Sequence, residues 1–392
     1  MTTARVDASA AVRPERKEKM GALFWSWMTT TDHKVIAKLY IWTALAFFAF
    51  GGLLALAIRA ELAFPGLQYL HYETFNQFFT MHGTLMLLMF ATPMFVAFAN
   101  AIMPLQIGAP DVAFPRLNSF SYWMYLFGSI TACAGFLTPG GAASFGWFAY
   151  VPLSDAVNSP GIGGDLWIMG LYIMGLSTIL GAVNFITTII TLRAPGMAWR
   201  RAPIFTVAGA TVSWLLVVTA PIFLAAVTML MLDRHDDGGF FSGAVGGAPL
   251  LWQHFSYIFF TASYMAISIT ALAAIAEIIQ TFTHRELPGR KVIVWSLISI
   301  AIIGTLAWTQ NMLTTPIPSG WKYIAMFLSI SLIVPFGLIF YNLISHVSRS
   351  DFHMQAPLRF AMGALSLASI GLLAEIAQST IGVASQLSHT YD

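Results

Sequence analysis

The stretch PIFTVAGATVSWLLVVTAPIFLAAVTMLM, residues 203–231, contains no charged side chain. The hydrocarbon core of a bilayer is about 30 Å thick, so a helix that crosses it needs about 20 mostly apolar residues. Arg201 and Asp233 stand just outside the two ends of the stretch. The pattern therefore predicts a transmembrane helix. A strand of a transmembrane β-barrel is excluded because the apolar run is continuous and does not alternate every two residues.

Eight further runs of this kind lie along the chain. The nine runs cover about 37–59, 78–103, 119–139, 165–192, 203–231, 251–282, 292–314, 322–346 and 358–384. The hydrophobic fraction is 57% and the charged fraction 9%, whereas soluble domains carry about 25% charged residues. We therefore expect an all-α polytopic membrane protein. Residues 1–31 should form a cytoplasmic tail, disordered over residues 1–20, and residues 32–392 a single transmembrane domain.

Composition excludes some partners and sites. The net charge of +2 is too small to indicate nucleic-acid binding, and the one cysteine, Cys133, allows no disulfide framework. Membrane lipids are the partners that the composition predicts. The N-terminus is not a signal peptide, because the apolar run that follows it is too long.

The distribution of Lys and Arg predicts the orientation of the chain, because cytoplasmic connectors of membrane proteins carry an excess of these residues. The N-terminal tail is basic, and so are the connectors after the second, fourth, sixth and eighth spans. The other connectors and span ends carry only Arg59, Arg234 and Lys322. We therefore expect a bacterial-type cytoplasmic membrane protein, with the N-terminus in the cytoplasm and the C-terminus outside.

Few ionisable residues lie within the spans, and each is a candidate functional residue because charge is costly there. His82 could be an axial ligand of a haem, the commonest role of imidazole towards haem iron, or a core histidine bonded to a carbonyl. Glu277 and Glu375 could be functional or could make polar contacts between helices. Asp111 could admit protons, cap the third span or pair with Arg116.

Several motifs are longer than chance would give. They include Thr31–Lys34, Arg59–Leu62, Met81–Thr84, the run from Pro104 to Asn118, Ser159 to Met197, Asp233–Arg234 and Leu251–His254. In these motifs the chain resembles subunit I of the aa3-type cytochrome c oxidases, in the haem–copper oxidase superfamily. The resemblance implies about nine helices packed like the first nine of such a subunit.

The resemblance implies that part of the cofactor machinery is retained. His82 matches an axial ligand of the low-spin haem a, and Arg59 matches an arginine that bonds the formyl group of that haem. Trp147 matches a tryptophan beside the same haem. Asp111 matches the aspartate that opens a proton path, and Asn118 matches an asparagine along this path. One low-spin haem, held through His82, is the cofactor that the resemblance allows.

The resemblance also implies that the oxygen-reducing centre is lost. Residues 260–265 stand where the family has Gly-His-Pro-Glu-Val-Tyr. Thr261 replaces the copper-binding histidine, Ser263 the proton-relaying glutamate, and Met265 the tyrosine. A copper site of this type needs imidazole ligands. We therefore expect no copper.

Two further motifs of the family are changed. Residues 308–312 stand where the family has Trp-x-His-His-Met, so that Gln310 and Asn311 replace the other two copper ligands. Ile339 replaces the lysine of the second proton path. The replaced positions are expected to converge on one site in the fold.

The sequence ends at Ser388–Asp392, which resembles the start of the next span of the family. We therefore expect this chain to lack the second axial ligand of the low-spin haem and the ligand of the high-spin haem. The resulting hypothesis is a structural, assembly or regulatory subunit of a respiratory complex, with no oxygen chemistry of its own. One alternative is a haem-binding electron-transfer subunit completed by a partner chain. Another is part of a terminal oxidase, from cytochrome c to oxygen with proton pumping, whose remaining spans lie on another chain.

Overall fold

A computed structural model of the protein describes residues 20–236, 238–350 and 354–387. Within these ranges all the longer elements are α-helices. They are α1 (Met20–Met28), α2 (His33–Glu61), α3 (Tyr72–Thr84), α4 (Thr92–Ile107), α5 (Pro115–Cys133), α6 (Ile162–Thr191), α7 (Ile204–His235), α8 (Pro249–Thr283), α9 (Arg290–Leu306), α10 (Ser319–Ser331), α11 (Ile333–Ser348), α12 (Ala356–Gln378) and α13 (Ile381–Leu387). Of residues 1–20, expected to be disordered, residues 1–19 lie outside the described residues and Met20 begins α1; the C-terminal motif 388–392 also lies outside them.

The described part of the chain contains nine helices or helix pairs long and apolar enough to cross a membrane, which confirms the predicted spans. The second span is longer than predicted and runs from Tyr72 to Ile107. The ninth span ends at Gln378, before the predicted residue 384, and α13 follows it. Helix α1 lies within the expected tail. Its nine residues are too few to cross a bilayer.

Most consecutive spans pack side by side, and the most extensive contact is between α5 and α6. A Cβ atom at Gly170 would lie 2.6 Å from the carbonyl oxygen of Gly128. Any side chain at Gly170 would therefore push the two backbones apart. Small residues allow this kind of helix contact in membranes, where lipid is as apolar as the helix surfaces. Gly170 therefore lies at a close packing surface between α5 and α6.

A π-helical segment, Leu85–Ala91, interrupts the second span directly before Pro93. Proline has no N–H and its ring clashes with the carbonyl of the residue four positions earlier. That carbonyl belongs to Met89, and it accepts a hydrogen bond of 2.7 Å from the hydroxyl of Tyr125. The π-bulge accommodates the proline, and Tyr125 satisfies the freed acceptor. This bond fixes the second span against α5.

Pro104 also leaves a backbone carbonyl without its helical donor. It lies closer to the Arg- and Lys-rich face, which is the side of the connectors after the second, fourth, sixth and eighth spans. Its missing N–H frees the carbonyl of Asn100, and Nδ1 of His33 donates to this oxygen over 2.6 Å. His33 is 1% exposed and begins α2. The first span is thereby bonded to the second through a backbone acceptor that the proline leaves without its helical N–H donor.

The connector between α5 and α6 folds back onto the bundle at the opposite face. Arg234, at the end of α7, forms an ion pair of 2.6 Å with Asp165, and its side chain is 1% exposed. The same guanidinium donates to the carbonyl oxygens of Ser154 (2.7 Å), Asp155 (3.1 Å) and Gly161 (3.3 Å). One buried arginine therefore holds this connector in place.

Candidate functional site

His82 lies in the last turn of α3 and is half-buried. Its Nδ1 is 2.9 Å from the carbonyl oxygen of Gly51 on α2. A carbonyl can only accept, so Nδ1 carries the proton and Nε2 keeps its lone pair. Histidines that bind metals are commonly oriented by such a bond to a backbone carbonyl. The hydrogen bond expected of a core histidine is present, and it leaves the imidazole in the tautomer that binds iron through Nε2.

Trp147 packs directly against the turn that carries His82. A Cβ atom at Gly83 would lie 2.7 Å from Cδ1 of Trp147, so the glycine is required for this contact. The indole also packs on Phe260 of α8, with ring centroids 5.0 Å apart. Arg59 is exposed in the last turn of α2, and the described residues give its guanidinium no hydrogen-bond partner. The structure therefore brings Trp147, but not Arg59, into contact with the His82 turn.

Two of the three positions that match copper ligands meet at the seam between α8 and the segment that follows α9. The Nδ2 of Asn311 donates to Oγ1 of Thr261 over 3.3 Å. Gln310 points elsewhere, because its Nε2 donates to the carbonyl of Gln378 at the end of α12 over 3.2 Å. The structure therefore brings Thr261 and Asn311 together and directs Gln310 away from them.

The helical geometry of this segment gives the reason. Helix α9 ends at Leu306, and Trp308–Met312 form a 3₁₀-helix. A 3₁₀-helix has three residues per turn, so each side chain is turned by about 120° from its predecessor, against about 100° in an α-helix. Either type of helix turns adjacent side chains well apart, so Gln310 and Asn311 lie on different sides of this segment.

The side chains at the other replaced positions make contacts within or between helices. Ser263 is fully buried and donates to the carbonyl of Phe259 in its own helix over 2.9 Å. The sulfur of Met265 would lie 2.3 Å from a Cβ atom at Gly304, so Met265 fills the space that this glycine leaves on α9. Ile339 is fully buried in the apolar core.

Two polar contacts near this seam were not predicted from the sequence. Trp308 donates from Nε1 to Nδ1 of His254 over 3.1 Å, which leaves the proton of a neutral His254 on Nε2. The hydroxyls of Tyr150 and Tyr257 are hydrogen-bonded to each other. Burial raises the pKa of Tyr150, which lies in the connector after α5. The sequence offered one signal for these contacts, the high density of aromatic residues.

Asn118 belongs to a buried polar chain on the Arg- and Lys-rich side. Its Nδ2 donates to Oδ1 of Asn100 over 2.6 Å, and the carbonyl of Asn100 is the one bonded by His33. Oδ1 of Asn118 and Nε2 of His33 are buried without a protein partner among the described residues. Buried water commonly satisfies atoms of this kind.

The polar chain continues from Asn118 towards the middle of the bundle. Ser121 donates to the carbonyl of Asn118 over 2.8 Å, and Ser177 donates to the carbonyl of Ser121 over 2.6 Å. Beyond it lies a cavity of about 40 Å³, lined by Tyr40, Leu88, Thr92, Pro93, Val96, Tyr125, Met174, Ser177, Thr178 and Gly181. A cavity of this volume is large enough for water, because one molecule needs about 10–15 Å³.

The contacts of the acidic candidate residues distinguish between the roles expected for them. Asp111 does not cap α5, because the N-cap of this helix is Phe114. It also forms no ion pair with Arg116; its Oδ1 accepts a hydrogen bond of 2.7 Å from the amide of Val112. Both expectations are therefore wrong. Glu277 of α8 makes the expected contact between helices, since its Oε1 accepts from the amide of Phe205 in the first turn of α7 over 3.1 Å. Glu375 is exposed on α12.

Comparison with known proteins places this arrangement in a family. Residues 35–391 match the family described as cytochrome c and quinol oxidase polypeptide I. The chain is 49% identical over 354 residues to the probable cytochrome c oxidase subunit 1-alpha of Streptomyces coelicolor, covering 90% of this chain and 60% of the relative. It is 41% identical over 394 residues to cytochrome c oxidase subunit 1 of Corynebacterium efficiens, covering 99% of this chain and 67% of the relative. The chain thus spans about two thirds of the length of these relatives or less.

The fold is similar to that of a chain in the cryo-EM structure of a heme-copper terminal oxidase dimer. The TM-score is 0.71 at 16% sequence identity, and the match covers 90% of this chain and 62% of that chain. At this identity the match concerns the fold. Together with the sequence match over residues 35–391, it gives the conclusion that the chain belongs to the cytochrome c and quinol oxidase polypeptide I family and is a subunit I-like, multi-pass membrane protein of the haem–copper oxidase type.

Proposed function

We propose that this chain is a structural, assembly or regulatory subunit of a respiratory haem–copper oxidase and contains no oxygen-reducing copper site of its own. The observation that carries the proposal is the hydrogen bond of 3.3 Å between Asn311 and Thr261, two positions that match copper ligands. Other oxidase subunits are its proposed partners, in a bacterial cytoplasmic membrane with the N-terminus in the cytoplasm and the C-terminus outside.

The chemistry of the donor atoms supports this proposal. Copper in proteins favours imidazole, thiolate and thioether ligands. Thr261 offers a neutral hydroxyl, and Gln310 and Asn311 offer neutral amides. The amide nitrogens of both residues donate hydrogen bonds to oxygen atoms. Met265 offers one thioether, and its sulfur packs at Gly304. The residues present do not fit a copper ion.

The side chains that would pass protons on to an oxygen-reducing centre are also replaced in this chain. The polar chain from Asn118 reaches Ser177 and the cavity beyond it, and water there would extend the chain further towards the middle of the bundle. At the position of the relaying glutamate, Ser263 bonds its own helix. Ile339 is a fully buried aliphatic side chain that cannot carry a proton. We infer that Asp111 and Asn118 are remnants of a path that no longer ends at a reaction site.

A second candidate function is one-electron transfer through a haem held by His82. The bond from Nδ1 to Gly51 supports it, because this bond orients the imidazole and leaves Nε2 free for iron. Trp147 would pack beside the ring, and Arg59 would be the hydrogen-bond donor towards its edge. The residues of this chain fit one axial position, and the haem would supply a one-electron redox couple.

Metal analysis and an optical spectrum test both candidates. We expect the purified chain to contain less than about a tenth of an equivalent of copper and to consume no oxygen with reduced cytochrome c. One tightly held copper per chain, or oxygen consumption by the chain alone, would overturn the first proposal. Chains isolated with and without their co-purifying subunits should be compared, so that cofactors held by a partner are recognised.

His82→Ala and His71→Ala form a matched pair for the haem candidate, because His71 is an exposed histidine at the beginning of the same span. If a haem is bound here, its absorbance should be lost in His82→Ala and retained in His71→Ala. A stoichiometric low-spin spectrum that survives His82→Ala would exclude His82 as the ligand. A spectrum without haem bands in wild type and both variants, with and without partner subunits, would favour the structural role.

A further inference from the structure

A groove of about 550 Å³ opens between α9 and the α10–α11 pair. Its lining includes Lys291, Trp295, Ser296, Ser299, Val334 and Leu338. The groove faces lipid, since Trp295 is 67% exposed and Val334 59% exposed. Its volume lies in the range of about 300–1,000 Å³ that is typical of small-molecule sites.

The break between α10 and α11 shapes one wall of the groove. Helix α10 ends at Ser331 and α11 begins at Ile333. Pro335 cannot donate to the carbonyl four residues earlier, which is that of Ser331, so the helix is interrupted there. The side chain of Ser331 donates to its own helix at Leu328 over 2.7 Å.

Along the axis of α9 the groove is about as long as one leaflet of the bilayer is thick. Its lining on α9 runs from Lys291 to Ile303, and at 1.5 Å per residue this distance is about 18 Å along the helix. Half of a bilayer core of about 30 Å is about 15 Å. The groove therefore begins at the Arg- and Lys-rich face of the protein and ends close to the middle of the membrane.

The entrance of the groove carries an uncompensated positive charge. Lys291 is exposed in the first turn of α9, and the described residues give it no ion pair. The neighbouring Arg290 is committed elsewhere, because its guanidinium donates to the carbonyl oxygens of Arg200 and Ala202. Lysine at this depth places its ammonium group at the level of lipid headgroups.

Two hydroxyls below the entrance also lack partners. Ser296 and Ser299 line the groove, about 8 Å and 12 Å from Lys291 along the axis of α9. In the part of the chain that the structure describes, neither hydroxyl makes a hydrogen bond. Other membrane serines and threonines bond the carbonyl four residues earlier, such as Thr270 to Ala266 over 2.7 Å. A donor without a partner in lipid is costly, so a ligand oxygen at this depth would stabilise both serines.

We propose that this groove binds one anionic phospholipid from the leaflet on the Arg- and Lys-rich side. Its phosphate pairs with Lys291, its ester carbonyls accept hydrogen bonds from Ser296 and Ser299, and one acyl chain lies along Ile303, Val334 and Leu338. This single occupant fits the groove in three respects. The positive charge lies at the entrance, the two hydroxyls lie at the level of the lipid's ester groups, and the groove is about as long as one leaflet. The proposal is independent of the presence of copper or haem.

Native mass spectrometry of the intact chain tests the proposal. The chain is released from nanodiscs that contain equal amounts of phosphatidylglycerol and phosphatidylcholine, and retained lipids are counted. We expect one retained phosphatidylglycerol per chain. Lys291→Gln should lower the preference for the anionic lipid about five-fold, which corresponds to about 1 kcal/mol for one basic residue near a membrane surface. Lys322→Gln, on the other side of the membrane, should leave the preference unchanged.

Filling the groove gives a second test. Ser299→Phe should abolish retention of the lipid, whereas Ser366→Phe, on the exposed face of α12, should not. If Ser299→Phe does not fold, Val334→Phe fills the opposite wall at a position 59% exposed. Equal lipid selectivity in wild type and Lys291→Gln would overturn the proposal. Retention of an uncharged quinone, or loss of selectivity on addition of inorganic phosphate, would also overturn it.

Discussion

Replacing Asp165 by alanine should destabilise the bundle by about 3 kcal/mol. The carboxylate lies 2.6 Å from Nε of Arg234, whose side chain is 1% exposed. Removing one partner of a buried ion pair leaves an uncompensated charge and costs about 3–5 kcal/mol. The low end applies here because the guanidinium keeps its hydrogen bonds to the carbonyl oxygens of Ser154, Asp155 and Gly161.

The measurement is reversible unfolding in mixed detergent micelles, followed by far-ultraviolet circular dichroism. His235→Ala is the matched control. Nε2 of His235 lies 3.2 Å from the same carboxylate, but its side chain is 55% exposed, and exposed pairs contribute about 0–1 kcal/mol. If Asp165→Ala costs no more than His235→Ala, the buried pair is not what holds the connector.

Three other changes have definite expected outcomes. Gly170→Leu should destabilise the chain by at least about 3 kcal/mol through overpacking against α5, measured by the same unfolding assay. Tyr125→Phe should cost about 1–3 kcal/mol because the carbonyl of Met89 loses its donor. This cost should shrink in the Pro93→Ala background, where a helical N–H can replace the hydroxyl; equal costs in both backgrounds would refute the role of Pro93. A cysteine at Ser385 should react with an impermeant maleimide only from outside the cell, and exclusive labelling from the cytoplasm would invert the proposed orientation.

The spans could be predicted because each depends only on its own composition. A run such as 203–231 must be helical in lipid, since no water is available to its backbone groups. The short helix α1 was missed for the same reason: its nine residues do not cross the membrane, so hydropathy alone does not define them. The early end of the ninth span at Gln378 was also not predictable, because the apolar composition continues into α13.

The candidate site was predictable residue by residue, but its contacts were not. His82 could be identified because an imidazole inside a span is costly. Its partner is the backbone oxygen of Gly51 on another helix, and no side-chain pattern encodes a backbone acceptor. The partners of Gln310 and Asn311 depend on how the segment after Leu306 lies between α8 and α12, which the family motif does not reveal.

The bond between His33 and the carbonyl of Asn100 has a consequence for how this family can be compared across species. The acceptor is a backbone atom, so the residue type at position 100 places no condition on the bond. Pro104 favours the bond, because it removes the helical N–H that would otherwise donate to that carbonyl. An alignment should therefore show His33 varying together with Pro104, two residues that do not exchange this hydrogen bond. Coupled variation of His33 and Pro104 would reflect the backbone carbonyl of Asn100, which both residues affect. Interpreting the coupling as a direct contact between the two side chains would place the first span wrongly.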